Sequence, residues 1–493
     1  MNLKRLIGNL DACEILGSLD GLDIAGIKYD SRLVLPGDLL VCIPGFKTDG
    51  HLFAGQAVDV GASCLVVERF IDGLKIPQIK VPDTREALAI LADEFYEKPS
   101  MQLGLIGVTG TNGKTTTTYL IKALLESKTK VGLVGTIGNI IGHEILPSAR
   151  TTPESVDLQK LLREMVDTGV KYSVMEVSSH ALELKRVNQC AFDIAVYTNL
   201  SQDHLDFHDS LIAYRNAKGI LFELVGSKPK DRPAYAVINR DDKFYEFFRQ
   251  KSGVPVFSYG VNHECDYKAA NIQVKGEGVS FEVYYPKGKI SLSLKMTGLF
   301  NIYNSLAAFA VGHQENIPPE TIKSCLENVE GVPGRFEKVN AGQDFTVIVD
   351  YAHTPDSLVN VLKSAKGFVK GRVITVFGCG GDRDRTKRPL MGEAVAMYSD
   401  FSIVTSDNPR SESPESIIED ILPGMKDHTS SYEVIPDRRQ AIGRAIELAK
   451  PNDLILIAGK GHETYQEIKG KTYPFDDRVV AREYLEKMLW KQS

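Results

Sequence analysis

Residues 107–118, GVTGTNGKTTTT, constrain the fold more than any other stretch of the chain. They follow an apolar run, LGLIGVT at 103–109, and open TTTYLIKALLES at 116–127. In the second segment Leu120, Ile121, Leu124 and Leu125 recur at helical spacing. Another strand-like run, VGLVGTIG, follows at 131–138. Strand, glycine loop, helix and strand make a βαβ unit, which requires a parallel sheet in an α/β domain. Gly110 and Gly113 let the loop turn its N–H groups inward, and the helix start adds partial positive charge for an anion. Lys114 can reach outer phosphates and the Thr115 hydroxyl can ligate magnesium. The common phosphate-loop spelling, G-x-x-x-x-G-K-[ST], would put its first glycine at 108. That residue is Val108, and the glycines stand at 107 and 110. Successive threonines are poor in a helix interior but useful at a helix start, where hydroxyls cap and coordinate. The bland alternative is a glycine turn that precedes a helix by chance; the order of strand, Gly-Lys-Thr and helix disfavours it.

A chain of 493 residues is too long for one core, and about three domains are expected. The net charge of −6 leaves no basic footprint, so nucleic acid is not an expected partner. No apolar run approaches a membrane span. The first residues, MNLKRLIGNLDACEI, have their apolar stretch broken by Asn9 and Asp11, so no signal peptide is read and a cytoplasmic location is expected. Seven cysteines with no C-x-x-C spacing point to reduced thiols rather than disulfides or zinc. Before the loop, DLLVCIPG and SCLVVERF read as strands, and the Pro-bearing YEKPSMQL leads out of that region. From about residue 345 a second alternating region begins. FTVIVD, RVITVFG, FSIVTS and DLILIAG are strand-like, separated by helical stretches such as PESIIEDILPGM and RRQAIGRAIELA. This predicts a Rossmann-like, doubly wound sheet. The Gly/Pro-rich ENVEGVPGRFE near residue 331 marks a boundary. The expected units are therefore 1–99, 100–331 around the phosphate loop, and 332–493.

TGTNGKTTT resembles the ATP loop of the Mur ligases, which join amino acids to cell-wall precursors and whose loop carries the same extra residue. Further motifs stand in the order of that family. They are DSR at 30–32, MEVSSHALELKR, TNLSQDHLDFH, AYRNAKGILF, GLFNIYNSLAA, GVPGRFE, DYAHTPDS, GCGGDRDRTKRP, SDNPRSE and AGKGHETYQ. The resemblance spans nearly the whole chain. It implies an ATP-dependent amide ligase that forms an acyl phosphate, with ATP and magnesium as cofactors and a monomeric chain. Bringing the γ-phosphate and a carboxylate together demands positive charge, supplied by Lys114, magnesium and Arg186.

Roles carry over residue by residue. Gly110, Thr111, Asn112, Gly113, Lys114, Thr115 and Thr116 would form the ATP loop, and Asn301, Arg335 and Asp350 match other ATP-binding positions. Arg335 and Asp350 belong with the C-terminal region, so that region must close over the nucleotide if both reach it. Thr115 and Glu176 would hold one magnesium, and His204 and Lys218 a second. An ammonium cannot ligate a cation; in this family the matching lysine is carbamylated, which turns Lys218 into an anionic ligand. Lys114, Glu176, His204 and Lys218 are the implied catalytic set. Their joint presence also weakens a non-catalytic nucleotide sensor. His353 fits either packing or a nucleotide contact. Ser31, Thr151, Thr152, Ser178 and Arg186 match positions that bind the UDP-linked substrate, and the loop PGFKTDGH at 44–51 is a weaker candidate. Some relatives have Asn and Gln where this chain has Arg150 and Leu184, so those two contacts are not carried over.

The motif DNPR, Asp407, Asn408, Pro409 and Arg410, matches the family members that add meso-diaminopimelate. Arg383, Gly459 and Glu463 belong to the same set. Diaminopimelate is lysine with an extra carboxylate, which Arg410 can bind bidentately; lysine would leave a buried arginine unpaired. Asn-Pro also favours a plain strand-exit turn. The implied substrates are UDP-MurNAc-L-Ala-D-Glu, joined through its D-Glu γ-carboxylate, and meso-diaminopimelate. A lysine-adding member and a folylpolyglutamate synthetase stay open. So does a GTP-dependent switch, because INRDD at 238–242 resembles a guanine-reading motif.

Overall fold

The computed structural model describes residues 1–492 apart from 11, 12, 47, 149, 205, 206, 427, 429 and 430. The apolar runs flanking the loop are strands buried on both faces, as a parallel sheet between helices requires. Six parallel strands form the middle of an eleven-stranded sheet: Val256–Gly260, Tyr235–Asn239, Ile194–Tyr197, Gly104–Thr109, Tyr172–Glu176 and Val131–Val134, in that spatial order. Alternate residues serve opposite faces. Ile106 and Val108 pack with Leu120 and Leu124 of the helix Lys114–Leu125, whereas Leu105 joins Leu158 and Leu162 on the other side. The loop strand and Val131–Val134 are not neighbours, since Tyr172–Glu176 lies between them. That insertion puts Glu176 in register with Val108, beside the start of the loop.

Tyr267–Lys275 adds a seventh strand, parallel to Val256–Gly260, and antiparallel strands lie beyond it and at the other edge. Tyr267–Lys275, Gly278–Tyr285 and Gly288–Leu294 continue one edge, and Asn139–Ile141 and Glu144–Leu146 the other. Toward the N-terminus a separate five-stranded sheet runs Glu14–Leu16, Gln78–Lys80, Cys64–Val67, Leu39–Val41, Ile27–Lys28. Helix Thr84–Phe95 covers it and also touches the central helix Ser155–Asp167.

The third sheet has six strands, five of them parallel: Thr346–Asp350, Leu454–Ala458, Val373–Phe377, Phe401–Val404 and Tyr432–Val434, with Glu337–Lys338 antiparallel at the edge. Val347, Val349, Ile455 and Ile457 pack on helices Arg438–Leu448 and Asp477–Gln492. Ile348, Leu454 and Leu456 pack on Pro355–Lys366, Lys387–Tyr398 and Pro414–Lys426. This is the doubly wound arrangement expected from the sequence. The late strand Leu454–Ala458 sits between the first two, so the strand order reverses there and a crevice opens at the strand C-termini. The seven cysteines are free, and no helix among the described residues is long and apolar enough to cross a membrane.

Candidate functional site

The loop after Thr109 bends because Gly110 has φ +148° and Gly113 φ +85°. A Cβ on Gly110 would stand 1.9 Å from Thr198 Oγ1, so only glycine lets the backbone lie this close. Thr198 in turn donates to Asn112 O at 2.6 Å, and Asn199 Oδ1 accepts from Asn112 N at 3.0 Å. Thr111 Oγ1 donates to Ser201 O at 3.2 Å. Lys114 Nζ donates to Gly110 O and Thr111 O at 2.9 and 2.8 Å, and burial lowers its pKa. Loop residues 111–116 line a cavity of about 810 Å³ together with Glu176, His204, Lys218, Arg335 and Asp350. Inward-facing glycine turns, a lysine and a helix N-terminus in a cavity this large suit a nucleoside triphosphate.

Glu176 ends its strand with both carboxylate oxygens engaged. Oε1 accepts from Thr136 N at 2.8 Å; Oε2 accepts from Thr115 Oγ1 at 2.9 Å and Thr136 Oγ1 at 3.1 Å. One carboxylate with hydroxyls is a hard oxygen set, and it fits magnesium, which takes its remaining ligands from phosphate and water. The substrate-binding candidates Thr151, Thr152, Ser178 and Arg186 gather next to it. Thr151 Oγ1 is 3.0 Å from Thr136 Oγ1, and Thr152 Oγ1 donates to Glu176 O at 2.9 Å. Ser178 N donates to Thr152 Oγ1 at 3.1 Å, while Ser178 Oγ caps the short helix Ser179–Glu183. Arg186 donates to Thr152 O at 3.2 Å and pairs with Glu154 at 2.8 Å. Ser31 starts a short turn capped by Asp30 and lines neither cavity. The loop at 44–51 reaches the central unit through Phe46, whose ring meets Phe207 edge-on at 5.6 Å; Lys47 within it lies outside the described residues.

Lys218 lies in the helix Leu211–Leu224 with 1% of its surface exposed. Its Nζ donates to Gly110 O at 2.8 Å and sits 4.5 Å from the Tyr214 ring centre. Burial, then the Lys114 charge, pushes its pKa well below the ordinary lysine value, against the pull of Asp203. A neutral amine of this kind can add carbon dioxide, and only as the carbamate would it join His204 around a cation. His204 has φ +54° and stands 4.7 Å from the His180 ring. Burial pushes its imidazole down to about 3, which keeps it neutral and able to ligate.

The C-terminal unit closes the site. Arg335 Nη2 donates to Thr115 Oγ1 at 3.0 Å, and its guanidinium lies 4.6 Å from the Tyr351 ring centre. Asp350 is buried and braces that turn, accepting from Phe336 N and Ala352 N at 2.7 Å each. Asn301 is buried behind the wall, bonded to Thr297 O and Asn304; Asn304, one turn on, lines the cavity instead. His353 packs against an aromatic ring and faces two cavities. Its ring meets Tyr351 at 4.6 Å, and it lines this cavity and a second one of about 440 Å³.

The second cavity lies at the switch point of the third sheet. It is lined by Arg383, Asp407, Asn408, Arg410, Gly459 and Glu463, and it shares Asp203, His204, His353 and Asp356 with the first. Pro409 lies behind the wall. Asn408 Nδ2 donates to Glu463 Oε2 at 2.8 Å, and Lys460 Nζ donates to the same oxygen at 2.9 Å. Burial and Asp407 push the Glu463 carboxyl up. Arg410 has φ +52° and donates through Nη1 to Gly381 O at 2.7 Å. Among the described residues Arg383 donates to its neighbour's carbonyl, Asp382 O, at 3.2 Å.

Comparison with known proteins decides the family. Residues 23–96 match the catalytic domain description of the Mur ligase family, 108–312 its middle domain, and 334–461 its glutamate ligase domain. This chain belongs to the Mur ligase family. The Mur ligase is 51% identical over 488 residues to a UDP-N-acetylmuramoyl-L-alanyl-D-glutamate–2,6-diaminopimelate ligase of Syntrophomonas wolfei, covering 98% of this chain and 99% of that one. It is 50% identical to the enzyme of that name from Geobacillus thermodenitrificans, over 93% of this chain and 94% of the relative. A solved structure of a ligase with the same name superposes with a TM-score of 0.69 at 34% identity, covering 97% of each chain. A Mycobacterium tuberculosis folylpolyglutamate synthase solved with ADP and AMPPCP shares the fold, with a TM-score of 0.63 at 17% identity over 82% of this chain and 94% of that one.

Several residues of the Mur ligase site escaped the sequence reading. Asp356 accepts from Asn112 Nδ2 and Ser201 Oγ at 2.8 Å each and so ties the loop to the C-terminal unit. It lies within the motif DYAHTPDS, in the first turn of a helix opened by the Thr354 capping box. Asn304 and Lys460 lie within the motifs GLFNIYNSLAA and AGKGHETYQ without having been singled out there, and Thr136 lies in the strand-like VGLVGTIG. The guanine-reader alternative loses its key group, because Asp242, the aspartate of that motif, already accepts from Tyr197 OH at 2.8 Å, Phe244 N at 2.9 Å and Leu200 N at 3.0 Å.

Proposed function

We propose that this Mur ligase adds meso-diaminopimelate to the D-Glu γ-carboxylate of UDP-MurNAc-L-Ala-D-Glu, with ATP hydrolysed to ADP and phosphate. The observation that carries the reading is the pair of joined cavities, one around the phosphate loop and one around Arg410 and Glu463. The name of 2,6-diaminopimelate ligase carried by relatives near 50% identity over almost the full chain supports it. Residues 1–99 would bind the UDP moiety through Ser31, 100–331 would bind ATP, and 332–493 the amino acid.

The chemistry needs two anions side by side. Lys114, and Arg335 from the opposite wall, would offset the phosphate charge. Thr115 with Glu176, and His204 with Lys218 once carbamylated, would hold magnesium, which would supply charge neutralisation there. Thr151, Thr152, Ser178 and Arg186 would hold the peptide so that a D-Glu carboxylate oxygen attacks the γ-phosphorus and ADP leaves. The amine then attacks the acyl carbon, phosphate departs, and the nitrogen loses a proton as the amide forms. Arg410 would bind the distal carboxylate of diaminopimelate, and Glu463 its distal ammonium. Lysine leaves Arg410 without that partner, which disfavours it.

The test is phosphate release from ATP and magnesium in the presence of UDP-MurNAc-L-Ala-D-Glu, with meso-diaminopimelate, with L-lysine, or with no amino acid. Release with diaminopimelate alone is expected. Equal release with lysine would break the specificity reading and keep the ligase chemistry. No stimulation by either would remove the proposed substrates.

A further inference from the structure

A two-stranded hairpin, Tyr465–Ile468 with Lys471–Pro474, stands outside the six-stranded sheet and is largely exposed. An exposed hairpin of this length is not stable by itself, so its anchorage needs a reason. Its anchoring bonds converge on one target, residues 407–410. Gln466 Nε2 donates to Asp407 O at 2.7 Å, and Glu467 N donates to Asn408 Oδ1 at 3.0 Å. Arg410 N donates to Glu467 O at 3.0 Å, and Lys469 N donates to Arg410 O at 2.6 Å. The Glu467 carboxylate stands 3.2 Å from Arg410 Nε.

Arg410 needs this support. Its φ of +52° is left-handed, a region that long side chains rarely adopt without help. On the other side the chain makes room for its head group: a Cβ on Gly380 would lie 3.0 Å from Arg410 Nη1. A guanidinium has five N–H donors. Nε faces Glu467 and one Nη1 proton goes to Gly381 O, which leaves three donors without a partner among the described residues. A carboxylate takes two in a fork.

We propose that Glu467 is a positioning residue for amino-acid specificity. It grips Arg410 by backbone and by Nε, so that the remaining donors are presented to the far carboxylate of the incoming amino acid. The inference rests on the reading of Arg410 as the diaminopimelate contact. Glu467 takes Nε and leaves Nη2 free, so it orients the guanidinium without replacing the ligand.

The test is steady-state kinetics of the full chain as wild type, Glu467→Ala and Glu467→Gln, with meso-diaminopimelate, L-lysine and ATP varied in turn. In Glu467→Ala the KM for diaminopimelate should rise about fivefold, the size of a partly exposed ion pair. The KM for ATP and kcat at saturation should stay within about twofold, and the preference over lysine should fall. The isosteric Glu467→Gln should lie between the two, and it keeps the comparison available if the alanine variant aggregates. An unchanged KM for diaminopimelate would overturn the proposal. A lower KM would overturn it too, since Glu467 would then be a competitor of the substrate. A joint loss in kcat and both KM values would mean a merely structural hairpin. Wild type without diaminopimelate-dependent turnover would instead sink the parent reading before any variant is compared.

Discussion

Asp93 should cost this protein stability at neutral pH, and replacing it should recover that loss. Asp93 lies in helix Thr84–Phe95, 7% exposed, and its Oδ1 has no hydrogen-bond partner among the described residues. Burial pushes its carboxyl up to about 6, although Lys228 and Lys98 pull the other way. In an unfolded chain the same group titrates near 3.9. The gap is about two units, and at 1.36 kcal/mol per unit the ionised form is penalised by about 3 kcal/mol in the folded state. Below about pH 4 both states are protonated and nothing is lost. Between about pH 4 and 6 the unfolded chain ionises first, so folding stability falls as pH rises. Above about pH 6 the penalty is complete and constant. Asp93→Asn removes the charge and keeps the shape. Urea unfolding of wild type and variant at a series of pH values should show no gain near pH 4 and a gain of up to about 3 kcal/mol near pH 8. The difference between the two proteins cancels the titration of all groups common to both. A gain of equal size at both ends of the range, or a loss near pH 8, would refute the reasoning.

Three further outcomes are expected. Gly110→Ala should cut ATP-dependent turnover by at least about 100-fold while far-UV circular dichroism stays unchanged, because its Cβ would meet Thr198 Oγ1 at 1.9 Å; unaltered binding of a fluorescent ATP analogue would contradict this. Lys218→Ala should abolish turnover, with partial recovery on adding a small carboxylate such as formate, and depletion of carbon dioxide should slow the wild type; full activity without rescue would take Lys218 out of the mechanism. Arg335→Ala should raise the KM for ATP by about tenfold, since it removes the 3.0 Å bond to Thr115 and the C-terminal charge at the loop, and isothermal titration with the UDP-linked substrate alone should be unaffected.

The local architecture was readable wherever a short-range signal existed. LGLIGVT, FTVIVD and DLILIAG carry unbroken apolar runs because each strand is covered on both faces, and all three form the strands expected. The glycine loop was readable because its backbone angles admit no side chain at Gly110. Strands Gly278–Tyr285 and Gly288–Leu294 also carry a period of two, buried residues alternating with half-buried ones in the first and with exposed ones in the second. Spatial neighbours were another matter. Nothing local says that Tyr172–Glu176 inserts between the two strands of the first βαβ unit, yet that insertion brings Glu176 to Thr115. Residues 112 and 356, and 115 and 335, meet across more than two hundred positions of chain. The sequence alone determined the phosphate loop, the alternation of strands and helices, and the residue types that could carry the chemistry, because periodicity and backbone sterics act over a few residues. Tertiary structure decided which of them share a cavity. It buried Asn301, put Asn304 in its place, joined two cavities through His353 and Asp356, and set a hairpin behind Arg410. Each of those depends on how whole sheets dock, a free energy summed over surfaces that no stretch of sequence contains.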